Sequence, residues 1–215
     1  MFAVVTELHE NGFAKKIEFC RIGDLLNVRV GGKVSRRRLK RALSDFYGRV
    51  IFSTSVNTRG ILPYSTDRLK REILFRQFVD HVLQLNGIGL TVGIVDRDGE
   101  FLENEAMTKI IVHAESVIIC TLKADIDELC REWLFLTGTC PEIATDPKHL
   151  LDCDCVFSPD LRVATTGLLF GKNGLKIDRE KLELPKAYLP LVDLGVDPID
   201  LACVLNTTRS QAHNL

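Results

Sequence analysis

The chain predicts an α/β protein. A parallel sheet carries helices on both faces, joined to a smaller N-terminal α+β portion and a C-terminal hairpin and helix. Three observations lead there. Short apolar runs of strand length alternate with longer stretches whose apolar residues recur at helical spacing. The run Leu90-Thr91-Val92-Gly93-Ile94-Val95 stops at the acidic turn Asp96-Arg97-Asp98-Gly99, and a helical pattern follows, as in the first strand, turn and helix of an α/β unit. Near the end, Gly171-Lys172-Asn173-Gly174 sits between two apolar arms, a hairpin signal.

Composition bounds the function. With 215 residues, 46% of them hydrophobic, the chain can fill one or two modest cores. A net charge of -1 supplies no global field toward nucleic acid or an acidic membrane. No apolar run reaches the roughly 20 residues that cross a bilayer. Met1-Phe2-Ala3-Val4-Val5-Thr6-Glu7 reads as a strand and not as a leader peptide, so a cytoplasmic protein without membrane contact is expected.

Taken in order, residues 2–7, 15–22 and 25–30 are predicted strands, with turns at Asn11-Gly12 and Gly23-Asp24. Ser35 offers an N-cap oxygen to a helix Arg36–Phe46, buried through Leu39, Ala42, Leu43 and Phe46. Its polar face is basic: Arg36, Arg37, Arg38, Lys40 and Arg41. Cations in a first turn oppose the helix dipole, so acidic neighbours or an anionic partner would offset them. One basic stripe on a near-neutral chain is a weak footprint for nucleic acid, and that partner is not expected. Val50–Thr54 is a strand and 55–65 a loop. Ser65 or Thr66 caps a long helix to about Leu85, which Asn86-Gly87 ends with a left-handed stop. Strand, helix and the strand at Leu90–Val95 then predict a right-handed parallel crossover.

The alternation continues with a helix Glu100–Ala114, a strand Ser116–Thr121 and a helix Ile126–Leu136, capped by Asp125 and stopped by Gly138. Pro141–Ala144 is a short strand, Asp146-Pro147 opens a helical turn, and Cys153–Phe157 is a late strand. After the hairpin, a proline-bearing stretch leads to a final helix opened by Asp197-Pro198, with 210–215 frayed. The expected division is 1–64, 65–165 and 166–215, the last packing on the rest.

The seven cysteines are odd in number, and most sit in apolar segments, so they read as reduced, buried thiols. Cys153-Asp154-Cys155 is the one close pair. Strand alternation would put both sulfurs on one face, but no second pair or histidine completes a tetrahedral site, and no metal is expected. His9, His81, His113, His149 and His213 have no partner motif.

Residues about 88–160 resemble the Rossmann-fold dinucleotide-binding domains, in the style of shikimate-dehydrogenase-like enzymes. The resemblance rests on the element order, on Val92-Gly93-Ile94-Val95-Asp96 before the first helix, and on Asp152-Cys153-Asp154-Cys155-Val156-Phe157-Ser158-Pro159 as a late strand. It implies a ligand edge at the strand ends, with Asp96, Asp98, Gly99, Thr121, Lys123 and Ser158 as candidate site residues, Lys123 placed for a 2′-phosphate. The departure is in the turn. The family's Gly-x-Gly-x-x-Gly lets a pyrophosphate approach bare backbone, whereas here Gly99 alone remains. Carboxylates at Asp96, Asp98 and Glu100 would compete for the helix N-terminus and repel a diphosphate, so NAD(P) is disfavoured though not removed.

Val95-Asp96-Arg97-Asp98-Gly99 is also similar to the first motif of haloacid-dehalogenase-like phosphatases. That resemblance implies Asp96 as nucleophile and Mg²⁺ ligand and Asp98 as general acid/base. Thr121 would be the second hydroxyl, with Lys148 or Lys123 as the neutralising lysine. Glu100 departs from that family's pattern, the interval to Thr121 leaves little room for its flap, and the downstream acidic pair is at best Asp152 and Asp154. Capping and dipole placement would explain Asp96 and Asp98 without any ligand. No Ser-His-Asp order, nucleophile elbow or Gly-Lys-Ser/Thr phosphate loop is present. The expectation is a Rossmann-like chain that has lost its dinucleotide loop and senses a small ligand or binds a protein. The alternatives are an NAD(P)-dependent dehydrogenase-like enzyme with an atypical loop and a Mg²⁺ phosphatase; homo-oligomerisation stays open.

Overall fold

The computed structural model describes residues 1–8 and 15–213, the last six through their backbone alone. The turn expected at Asn11-Gly12, and His9, lie outside the described residues. Two compact units emerge, Met1–Lys70 with Arg179–Leu215, and Arg71–Asp178.

The first unit holds a four-stranded sheet of β1 (Phe2–Glu7), β2 (Ile17–Ile22), β3 (Leu25–Val30) and β4 (Val50–Phe52), in the order β2-β3-β1-β4. β1 runs parallel to both β3 and β4, while β2 pairs antiparallel with β3. β1 is central and buried on both faces, which is why it reads as an unbroken apolar run. Successive side chains alternate between two cores. Phe2 and Val4 join Leu25 and Ile51; Ala3 and Val5 join Val28, Val50, Leu39 and Leu43. α1 (Arg36–Ala42) supplies Leu39 to the second of these cores, capped by Ser35, whose hydroxyl accepts from the Arg38 amide at 3.4 Å. It is shorter than predicted: at Leu43 the chain leaves helical geometry, and Ser44–Phe46 tightens into a 3₁₀ turn.

α2 (Asp67–Gln84) does not make the predicted crossover, because β4 and the next strand, β5 (Thr91–Val95), lie in different sheets. Leu74, Phe75, Phe78, Val79 and Val82 of α2 enter the core of the second unit. Sequence neighbours in an α/β pattern need not share a sheet once a helix carries enough apolar surface to seed a new core. The stop after α2 also differs. The left-handed residue is Gly89 (φ 75), not Gly87. Gly87 instead faces the His113 carbonyl so closely that any Cβ would collide with it.

The second unit continues with α3 (Glu105–His113), β6 (Ser116–Cys120), α4 (Ile126–Thr137), β7 (Glu142–Ala144), a 3₁₀ turn at Pro147–Leu150, β8 (Cys155–Ser158) and β9 (Leu168–Gly171). Its five strands are all parallel, in the order β7-β6-β5-β8-β9. The order reverses at β5, so a topological switch point lies between β5 and β8. Phe75, Phe157 and Phe170 pack against Phe78, and Phe101 packs on Phe75 and Phe157, in one core. On the other face, Gly93 leaves room for Leu150 and Cys153. A Cβ there would come within 2.9 Å of Leu150 Cδ2 and 3.2 Å of Cys153 Sγ.

Cys153 and Cys155 do not share a face. Cys153 precedes β8 and packs with Val95, Cys120 and Val156, while Cys155 points into the phenylalanine core. Burial pushes both thiols up, Cys153 to about 11, which keeps them protonated hydrophobes. The turn Gly171–Gly174 forms, with Asn173 at φ 71. β9 itself is the edge strand of the parallel sheet, and its return arm reduces to a single bridge between Phe170 and Leu175.

Past Asp178 the chain belongs again to the first unit. α5 (Leu189–Asp193) and α6 (Pro198–His213) bring Leu191, Leu201, Val204 and Leu205 to the core of Phe2 and Val4. Asp197 caps α6 as predicted, accepting the Ile199 amide at 2.8 Å. The helix continues to His213, through residues expected to fray.

Candidate functional site: the crevice at the switch point

In open α/β sheets, ligands sit beyond the carboxyl ends of the strands, where the strand order reverses. A cavity of about 360 Å³ occupies that place here. The chain leaving β5 lines it with Asp96, Arg97, Asp98, Glu100 and Phe101, and the chain leaving β8 with Pro159, Asp160 and Leu161. Arg71, Val95 and Leu122 complete it.

Asp96 is 5% exposed. Its two carboxylate oxygens accept the amides of Glu100 at 3.0 Å and Phe101 at 2.6 Å. These amides lie in the turn where a dinucleotide loop would present bare N–H groups. Burial pushes the Asp96 carboxyl above its ordinary range, and the amides of Phe101 and Glu100 pull it back only in part. The self-made bonds also displace the next helix. Residues 97–104 close as turns, and α3 starts at Glu105, five residues later than predicted, with Asn104 as its cap (Ala106 N to Oδ1 2.9 Å). Asp96, Asp98 and Glu100 therefore do not sit at a helix N-terminus, and the competition for a helix dipole expected of them does not arise.

Among the other predicted residues, the polar groups of Lys123, Thr121 and Ser158 are engaged. Gly99 adopts φ 74 and lies beneath the Lys123 side chain, which a Cβ would strike. Lys123 Nζ pairs with Glu103 at 2.9 Å and Asp125 at 3.3 Å, and those hydrogen bonds hold its ammonium above its ordinary value. Asp125 therefore stands at the start of α4 without making the expected cap bond. Thr121 Oγ1 accepts the Lys123 amide at 3.2 Å and approaches the Arg97 carbonyl at 3.5 Å. Ser158 is fully buried, and its hydroxyl donates to the Leu161 carbonyl at 2.9 Å. Asp98 is exposed at the cavity rim.

Arg71 is what the sequence reading missed. It reaches Glu100 at 3.0 Å and Asp160 at 3.2 Å, tying the loop after β5 to the loop after β8 across the crevice. Its Nε is buried without a hydrogen-bond partner among the described residues. No local pattern marks Arg71, since its partner Asp160 lies 89 residues away.

Of the residues the phosphatase resemblance implies, the later acidic pair and Lys148 lie away from this turn. Asp154 accepts the Thr91 amide at 2.8 Å, at the start of β5, so Asp154 and neighbouring Asp152 lie at the opposite end of the strand from Asp96. Five residues of strand separate the two ends, roughly 16 Å at about 3.3 Å per residue. Lys148 pairs with Asp146 on the surface and does not line the crevice. Among the described residues, no three His, Cys, Asp or Glu side chains are grouped as a metal site.

A second polar cluster lies in the first unit, built from residues far apart along the chain. Lys70 meets Asp200 at 2.7 Å, and the Thr66 hydroxyl donates to the same carboxylate at 2.6 Å. Both line a cavity of about 570 Å³ with Ser53 and Thr54, beyond the end of β4. Burial lowers the Lys70 ammonium, but the hydrogen bond and charge of Asp200 outweigh it, so the net shift is upward. Of the histidines whose side chains are described, His113 bonds the Leu85 carbonyl at 3.0 Å, His149 lies 3.7 Å from Glu142, and His81 packs on Phe170.

The fold and the crevice define a class: an α/β protein with a Rossmann-like parallel sheet flanked by helices. No family model matches the chain, and no curated protein does. Among solved structures it is similar to L-tryptophan dehydrogenase from Nostoc punctiforme, at 15% identity and a TM-score of 0.38, over 87% of this chain and 61% of that one. The chain thus spans about three-fifths of that enzyme's length. Among the described residues, no helix is long and apolar enough to cross a membrane.

Proposed function

We propose that this chain is a Rossmann-like binding protein whose nucleotide crevice is closed by its own side chains, and that it senses a small ligand or binds a protein without using a dinucleotide. One observation carries the reading: the Asp96 carboxylate holds the amides of Glu100 and Phe101. A pyrophosphate seated on that turn would have to displace a buried carboxylate from two hydrogen bonds and then lie against its charge. The crevice adds Asp98, Glu100 and Asp160, against Arg71 and Arg97. Arg71 is already committed to two of those carboxylates, so it offers a diphosphate little free positive charge.

The test is thermal denaturation of the whole chain with NADH, NADPH, or Mg²⁺ plus a phosphate mimic, alongside hydrolysis of a generic phosphomonoester. No stabilisation by either nucleotide and no hydrolysis are expected. A rise of several degrees with a nicotinamide cofactor would restore the dehydrogenase-like reading. Hydrolysis that disappears in Asp96→Asn would restore the phosphatase.

A further inference from the structure

The basic helix remains unexplained by the crevice. Its five cations separate into two groups. Arg36 Nη2 donates to the Gly60 carbonyl at 3.2 Å and Arg38 Nη1 to the Lys15 carbonyl at 2.6 Å, so these two fasten chain to chain. Arg37, Lys40 and Arg41 make no ion pair or side-chain hydrogen bond among the described residues. Their spacing of three and four residues puts them on one face of α1. All three border a single cavity of about 950 Å³.

That cavity is apolar and reaches the core. Its floor includes Leu43 and Val50, 4% and 2% exposed, and its walls include Ile61, Leu62, Pro63 and Tyr64. Tyr47 and Leu62 stand at its mouth, 88% and 83% exposed. No Asp or Glu lines it. The wall opposite α1 is pinned at both ends: Gly60 is held by Arg36, and the Tyr64 amide donates to the Val50 carbonyl at 2.7 Å. The cavity is therefore built before any ligand arrives.

We infer that this groove binds a small amphipathic anion, its apolar body on Leu43, Val50 and Ile61 and its phosphate or carboxylate at Arg37, Lys40 and Arg41. A pocket of this volume with few convergent polar groups suits a small molecule. A floor made of core residues suits an inserted apolar group better than the flat contact of a protein surface. Three cations with no internal partner, beside a wall without acids, select for negative charge. Nothing in this inference depends on the Asp96 turn.

The experiment uses the full-length protein and a matched pair of fluorescent probes: anilinonaphthalene sulfonate, which carries the anion, and N-phenyl-1-naphthylamine, which lacks it. The sulfonate is expected to bind at one site and to be displaced by dodecyl phosphate or by phenyl phosphate. Displacement by the chain compound points to a lipid-like ligand, and displacement by the ring compound to a compact aromatic one. Replacing Arg37, Lys40 and Arg41 together by Gln should weaken the sulfonate about tenfold or more and leave the neutral probe unchanged. The same change at Lys148, Arg162 and Lys176 should do neither. Ser44→Trp, which fills the groove from its exposed rim, should weaken both probes. The inference is overturned if the two probes bind alike and the Gln variant loses nothing, or if no anion binds with the fold intact by circular dichroism.

Discussion

Two cavities in this molecule handle charge in opposite ways. At the switch point, Asp96, Thr121, Lys123, Ser158 and Arg71 all bond to other parts of the same unit. Along α1, three cations face an apolar groove and bond to nothing among the described residues. The first arrangement resembles a used core, the second a surface prepared for something else. Position on the fold therefore does not define a site. A crevice at the right topological place can have most of its polar side chains bonded within the unit, while a groove elsewhere keeps three cations unpaired among the described residues.

The comparison breaks most readily at Asp96. Asp96→Ala leaves the buried amides of Glu100 and Phe101 without acceptors, at a cost of about 2–3 kcal/mol. For a chain of this size that lowers Tm by roughly 5–10 °C in a thermal melt. Gln at Arg37, Lys40 and Arg41 together should move Tm by no more than about 2 °C, because exposed charges contribute little to stability. If the groove variant melts far lower, its cations are structural and the contrast fails.

Gly99 gives the next largest effect. Gly99→Ala must place a side chain at φ 74, worth about 1–2 kcal/mol, and must push Lys123 off the turn. Urea denaturation should register the loss. An unchanged midpoint would mean that the turn rearranges freely and is less closed than its hydrogen bonds imply.

The charge state of Asp96 sharpens the picture further. Burial raises its folded pKa above the unfolded value, so the folded state holds the proton more tightly. Stability linked to this group is complete below its ordinary pKa near 4 and is lost as pH rises through the folded value. Wild type should therefore lose ground relative to Asp96→Asn across that interval, measured by urea titrations from pH 4 to 7. A wild-type advantage over Asp96→Asn that grows with pH would mean the two amides dominate and the carboxyl is depressed.

Much of this was legible locally. The strands at Phe2–Glu7 and Leu25–Val30, the caps at Ser35, Asp146 and Asp197, and the stop at Gly138 depend on residues within a few positions of one another. The parallel α/β class followed from the same alternation. What was hidden depends on distance along the chain. Arg71 meets Asp160 across 89 residues, and Thr66 meets Asp200 across 134. Asp96 was visible, but not its bonds to amides four and five residues on, because those need the backbone to curl where a helix was expected. Cys153 and Cys155 failed for the same reason: strand alternation applies only inside the strand, and β8 starts at Cys155.

The smallest effects test α1 from both ends. Arg37 sits in the first turn of a seven-residue helix with no acidic residue there, so its charge opposes the dipole. Arg41 sits in the last turn, where a cation is favoured. Arg37→Gln should raise stability and Arg41→Gln lower it, each by about 0.3–0.5 kcal/mol in urea titrations. Both should weaken the anionic probe. If weaker binding merely reported a loosened helix, the two variants would differ in binding as they do in stability. Equal losses of affinity with opposite changes in stability place the lost charge in the ligand's path.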